Sequence, residues 1–164
     1  MINDQELNKT MLTLKIIFSA IMFSLAVYMY VGLMVGKNPR TTIDADTLTT
    51  LRITLYGLSC FTLLITKPVK KFILKKGLKN SLRTVTSQPP EVQKYTQAMI
   101  TACALSESIG VYGLVLFMLG KQPVDLYILI ALSAGAMLQY RPKKDELLGL
   151  FERDTIDSTT TGIV

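Results

Sequence analysis

The long apolar blocks of this chain decide what it can fold into. Four blocks carry few charges, and a block of about 20 apolar residues crosses the hydrocarbon core of a bilayer. Only 18% of the 164 residues are charged, below the roughly 25% that is typical of soluble domains. The sequence therefore predicts an all-α integral membrane protein with four spans, at residues 11–36, 47–66, 96–120 and 124–140.

Basic residues cluster in the regions that four spans would place on one side of the membrane. These regions hold 14 of the 18 Lys and Arg residues. Because positively charged loops stay in the cytoplasm, both termini are predicted to be cytoplasmic. The chain then divides into a first hairpin (1–66), a basic cytoplasmic loop (67–95), a second hairpin (96–140) and a polar cytoplasmic tail (141–164). A bacterial inner membrane is the expected location.

The basic loop interleaves apolar residues with lysines. As a helix it would lie along the headgroups, with its apolar side toward the acyl chains and its lysines near anionic lipid. The lysines expected to contact lipid or a protein partner are Lys70, Lys71, Lys75, Lys76 and Lys79. The alternative is a loop whose charge only fixes the topology.

The chain contains an internal duplication. A shift of 84 residues aligns the first span with the third, and 10 of the 24 positions from 16 to 39 are then identical. Ser24 and Tyr28 align with Ser108 and Tyr112. The second and fourth spans correspond after a shorter shift. We therefore expect a four-helix bundle built from two helical hairpins of the same orientation, a parallel repeat.

A single carboxylate stands at the middle of a span. Of the 12 acidic residues, 11 lie in loops, tails or span ends, and the exception is Glu107, which takes the place of Phe23 in the duplication. An ionised carboxylate there costs at least about 2.5–3.5 kcal/mol. It must therefore be protonated, paired or bound to a cation. The alternative to ion exchange is a protonated glutamic acid that joins helices through Ser59, Ser133 or a backbone carbonyl.

Small residues on the third span predict close packing against another helix. The residues in question are Ala102, Ser106, Gly110 and Gly113.

Several functional classes find no support in the sequence. The chain has no His, and its two cysteines lie in apolar blocks, so neither a transition-metal site nor a disulfide framework is expected. No catalytic triad or phosphate-binding loop is present, so we expect neither an enzyme nor an organic cofactor. The lysines adjoin a span and lack interleaved aromatic residues, which argues against binding to nucleic acid.

Residues 88–119 resemble the second half of a known membrane subunit. Gln88–Pro89 matches a polar loop, and Glu107 follows 18 residues after Pro89 at the start of a Glu-Ser-Ile-Gly-Val-Tyr stretch. This pattern is similar to subunit c, the proteolipid of rotary F-type and V-type ATP synthases. The resemblance implies that Glu107 is the ion-carrying carboxylate and that Ser108 and Tyr112 are its hydroxyl partners.

The function expected of such a divergent relative is ion handling. The chain would be a membrane proteolipid that binds and exchanges a proton or a sodium ion at its buried carboxylate. It would act within a larger assembly, as a homo-oligomer or a hetero-oligomer. The alternative is a non-transporting structural or assembly subunit of a membrane complex.

Overall fold

The computed structural model describes residues 4–35, 44–76 and 90–149 of the chain. These residues form helices and contain no strand. The four helices are α1 (Asp4–Val35), α2 (Ala45–Lys76), α3 (Pro90–Gly120) and α4 (Pro123–Gln139). A short helical segment follows at residues 144–149. The predicted all-α class is confirmed.

Three of the helices are long and apolar enough to cross a membrane. The qualifying segments are Leu7–Met34, Ala45–Lys75 and Val92–Gly120. Helix α4 is equally apolar but has only 17 residues, or about 26 Å. The three long helices indicate a membrane protein.

Helix α3 lies at the centre of the fold. It packs extensively against α4 and α2 and also contacts α1, whereas α1 and α2 contact each other only sparsely. The two helices of the predicted first hairpin are thus separated by α3. Helices α1 and α3 run in the same direction, because Leu25 lies beside Gly110 and Gly32 lies beside Phe117.

Helix α2 extends beyond the span predicted for it. The sequence predicted a loop from residue 67, but α2 continues through Pro68 to Lys76. Proline removes one backbone hydrogen bond from a helix. The helix nevertheless continues because Ser59, Thr66 and Ile73 recur at the helical period and are all buried. Packing of this face outweighs the lost bond. The predicted loop is therefore helical up to Lys76, and its residues 77–89 lie outside the described part of the chain.

The ends of the helices define two ends of the fold. At the end where α1 begins, α2 ends and α3 begins, a buried apolar cluster also includes Leu147 from the segment after α4. The beginning of the predicted polar tail therefore packs on the helices, and residues 150–164 lie outside the described part. We call this the basic end, since Lys70, Lys71 and Lys143 lie there. The opposite end holds the start of α2 and the start of α4.

Close contact between α3 and α4 requires a glycine at position 113. A Cβ atom there would lie 2.8 Å from the Cβ of Leu129 and 3.5 Å from the backbone oxygen of Leu126. Neither atom can move away without displacing α4. The contrast is Gly135 of α4, where a Cβ would meet nothing within 4 Å.

We predict that Gly113→Val destabilises the fold by about 1–3 kcal/mol, because overpacking forces the helices apart. Gly135→Val is the matched control, since it has the same effect on helix propensity without the clash. In a Cys60→Ala background, thermal exposure of the buried Cys103 to a fluorogenic maleimide measures unfolding in detergent. Equal midpoints for the two valine variants would contradict the packing.

Candidate functional site

Glu107 lies halfway along the depth of the fold. On α3 it stands 12 residues after Tyr95, which contacts residues of the basic end, and 13 residues before Gly120, which lies beside Leu48 near the start of α2. These separations correspond to about 18 and 20 Å along the helix. The carboxylate is therefore as far as the fold allows from both ends.

Two hydroxyl groups from α1 hold the carboxylate. The Tyr28 hydroxyl donates a hydrogen bond to Oε1 of Glu107 at 2.7 Å, and the Ser24 hydroxyl contacts the same oxygen. Ser24 lies one helical turn before Tyr28, so both side chains project from one face of α1. The Ser24 hydroxyl also lies 2.6 Å from the backbone oxygen of Ile21, so two acceptors share its single proton.

The second oxygen of the carboxylate is open. Among the described residues, none donates a hydrogen bond to Oε2 of Glu107. Glu107 is half-buried, so part of its side chain reaches the protein surface. One oxygen is thus fixed by protein donors while the other can take up a proton or contact a cation.

The hydroxyl groups expected at Glu107 lie elsewhere. Ser108 donates to the backbone oxygens of its own helix at Ala104 and Leu105. Tyr112 packs beside an apolar cluster that involves α2. The bonding partners are instead the residues that the duplication aligns with these two, Ser24 and Tyr28 of α1.

The serines considered as static partners of Glu107 also bond elsewhere. The Ser59 hydroxyl donates to the backbone oxygen of Leu55 within α2. The Ser133 hydroxyl donates to the backbone oxygen of Ser106 at 2.6 Å, and this bond joins α4 to α3. Neither side chain contacts the carboxylate.

The small residues predicted to pack on α3 face its neighbours. Ala102 and Ser106 are fully buried. A Cβ atom on Gly110 would lie 2.6 Å from a methyl group of Leu25 on α1, and Gly113 faces α4 as described above. These small residues therefore allow two helices, α1 and α4, to approach α3 closely. Its contact with α1 brings the hydroxyl groups to Glu107.

An ion pair joins α2 to α4 at the opposite end. Asp125 is only 8% exposed, and its carboxylate lies 2.7 Å from the guanidinium of Arg52. Tyr56 donates to the other carboxylate oxygen at 3.1 Å, and Arg52 also contacts the side chain of Gln122. The charge of Arg52 is therefore matched within the fold. The sequence signals for this pair were an arginine and an aspartate, each inside an apolar block.

A second ion pair closes the basic end. Lys70 lies 2.7 Å from the carboxylate of Glu146, and its ammonium stands 5.8 Å from the centre of the Tyr140 ring. The hydroxyl of Tyr95 accepts a hydrogen bond from the backbone N–H of Lys143 at 2.9 Å. Together these contacts attach the segment after α4 to α2 and α3.

The lysines predicted to contact lipid or a partner differ in their positions. Lys70 has a side chain only 13% exposed and is engaged in the ion pair with Glu146. Lys71 and Lys75 are exposed on α2. The environment of the Lys76 side chain and the whole of Lys79 lie outside what the structure describes.

Side chains that ligate transition metals do not cluster in the described residues. No group of three His, Cys, Asp or Glu residues lies together there. Any cation at Glu107 would have to bind through one carboxylate and nearby hydroxyl or backbone oxygens, which suits hard cations.

Ser24 and Tyr28 are the site residues that the sequence interpretation missed. A signal for them existed in the duplication, because they occupy the same positions in the first copy as Ser108 and Tyr112 do in the second. Pairing the first and third spans side by side in register would have placed both hydroxyls at Glu107.

No family model, no curated protein and no solved structure matches the chain. The similarity of residues 88–119 to subunit c therefore remains a prediction from the sequence pattern.

We predict an interaction energy of about 0.6–2 kcal/mol between Tyr28 and Glu107, typical of hydrogen bonds between membrane helices. A double-mutant cycle with Tyr28→Phe and Glu107→Met, read by thermal unfolding in detergent, measures it, because each substitution removes one partner of the hydrogen bond. The matched cycle uses Tyr112→Phe and should give no coupling. Coupling through Tyr112 rather than Tyr28 would show that the hydroxyl partner lies on α3.

Proposed function

We propose that the chain is a subunit-c-like membrane proteolipid that binds and exchanges a proton or a sodium ion at Glu107, within a larger membrane assembly. The observation that carries the proposal is the arrangement of this one carboxylate. It lies at half depth, two hydroxyls contact its Oε1, and its side chain is half-buried.

Neutralisation of Glu107 by a basic side chain finds no support in the described residues. Arg52 is engaged by Asp125 and Lys70 by Glu146, and both pairs lie near the ends of the fold. A bare carboxylate in hydrocarbon costs at least about 2.5–3.5 kcal/mol. We therefore propose that a proton or a cation from outside the chain supplies the neutrality.

The same arrangement favours exchange over permanent protonation. The hydroxyls of Ser24 and Tyr28 lower the cost of the ionised state, because hydrogen bonds to a charged group favour that form. The open oxygen gives an incoming proton or cation access without breaking these bonds. Both states of the carboxylate are thereby made accessible, which an exchange site requires.

The proposed topology has four spans, with α4 as the shortest. Both termini and the loop between α2 and α3 then face the cytoplasm, and a bacterial inner membrane is the proposed location. Support comes from the lysines gathered at the basic end. The four helices form a bundle of two parallel repeats, and the in-register contact between α1 and α3 supports this relation.

The proposed assembly covers the outward face of Glu107. Helices α1 and α2 expose most of their apolar side chains, among them Phe23 at 69% and Phe61 at 59%. Lipid or other subunits cover these faces. Since Glu107 is half-buried, a neighbouring subunit, identical or different, would control the access of its carboxylate to water.

Carbodiimide labelling tests the proposal. Dicyclohexylcarbodiimide takes the proton of a carboxylic acid and adds to its oxygen, so only the protonated acid reacts. We expect slow labelling of Glu107 in membranes, located by mass spectrometry, that decreases as pH rises and disappears in Glu107→Gln. Suppression by sodium at constant pH would identify a sodium site. No labelling at any pH would overturn the proposal.

The hydroxyl donors provide a second test of exchange at this site. Without the donor of Tyr28 the ionised form loses a favourable bond, so in Tyr28→Phe we expect labelling to persist to higher pH. Tyr112→Phe is the matched control and should follow the unmodified protein. Identical pH profiles for all three proteins would contradict a role of Tyr28 in the exchange.

A structural or assembly subunit is the second candidate. It is favoured by the fact that Glu107 joins α1 to α3, as a static contact would. Under this function Glu107→Gln retains the host complex and its activity, because the neutral amide still accepts hydrogen bonds. Neutralising the lysines between positions 70 and 79 would then disrupt assembly.

A further inference from the structure

We propose that Lys67, Lys71 and Lys75 form a binding site for the headgroup of an anionic phospholipid. The three lysines recur every four residues along α2 and are all exposed. The interval places them within about 80° of one another around the helix and spreads them over about 12 Å of its length. The site is independent of the ion chemistry proposed for Glu107.

The ion pair at Lys70 sets the direction in which these lysines point. Lys70 lies on the same face of α2 as the buried Thr66 and Ile73 and is bound to Glu146. At about 100° per residue, Lys71 lies roughly on the side of the helix away from that buried face. Lys67 and Lys75 flank it. The three ammonium groups therefore face outward, away from α3.

The lysines begin where the apolar part of α2 ends. The 14 residues between Arg52 and Lys67 carry no charge, a length of about 21 Å. The long side chains of Arg52 and Lys67 extend this uncharged length at both ends. The total matches the thickness of the hydrocarbon core, about 30 Å. Because α2 continues as one helix, Lys71 and Lys75 follow at the level of the headgroups.

An apolar surface on the same side of α2 precedes the lysines. Leu64 is 71% exposed and lies three residues before Lys67, and Phe61 is exposed one turn earlier. Acyl chains can therefore lie along Phe61 and Leu64 while the phosphate contacts the lysines. This combination of apolar and basic surface fits a phospholipid better than an acidic protein or free phosphate, which would use only the charges.

The absence of tryptophan from the chain permits a direct test. Leu64→Trp places a single fluorophore on the proposed acyl-chain surface. The full-length protein is reconstituted in phosphatidylcholine with a fraction of phosphatidylglycerol, and either lipid carries bromine on its acyl chains. Comparing the quenching by the two brominated lipids gives the ratio of their affinities at this site. We expect a preference of about fivefold or more for the anionic lipid. Added inorganic phosphate should not reduce it.

A matched set of lysines separates a site from a general charge effect. Neutralising the proposed site with K67Q, K71Q and K75Q should bring the preference close to unity. The control variant K9Q, K15Q and K143Q removes the same charge from exposed lysines at the basic end and should retain the preference.

Three results would overturn the proposal. The first is that the Leu64→Trp protein shows no preference for the anionic lipid. The second is that this preference is unchanged when the site lysines are neutralised. The third is that both triple variants lose the preference equally. Competition by inorganic phosphate would also contradict a lipid site. Phe61→Trp serves as a second reporter on the same surface, so a folding defect of one tryptophan variant does not prevent the measurement.

Discussion

An ionisable side chain within hydrocarbon needs a partner other than water, because water is absent there. In this chain ionisable side chains join helices at three depths, one at half depth and one near each end. Arg52 and Asp125 join α2 to α4 at the opposite end. Glu107 joins α3 to α1 at half depth, and Lys70 at the basic end joins α2 to the segment after α4. Each contact fixes the rotation of a helix that apolar packing alone would leave adjustable.

The central position of α3 follows from its small residues. Helices in lipid associate through close packing rather than through the hydrophobic effect, so a helix with several neighbours needs small side chains on several faces. Ser106 and Gly113 admit α4, and Gly110 admits α1. The close approach of α1 then makes the hydrogen bonds to Glu107 geometrically feasible.

The sequence predicted features that depend on one helix at a time. Block length gave the all-α class, and the position of Glu107 within its block gave its depth. The partners of Glu107 depend on which face of α1 meets α3, and the pattern of a single span does not determine that. The continuation of α2 past Pro68 was missed because a proline followed by lysines is typical of a span end, whereas burial of Ile73 keeps the segment helical.

The duplication explains why the chain carries one carboxylate at half depth rather than two. Phe23, which corresponds to Glu107, is 69% exposed. An acid at position 23 would therefore face lipid or a partner. The hydroxyls of Ser24 and Tyr28 would not serve it, because they contact Glu107. The two aligned segments therefore supply different parts of this contact. The first supplies the hydroxyls of Ser24 and Tyr28, and the second supplies the acid. The contacts of Glu107 with Ser24 and Tyr28 exist only while α1 and α3 remain together, so any movement between these helices would change the environment of the carboxylate.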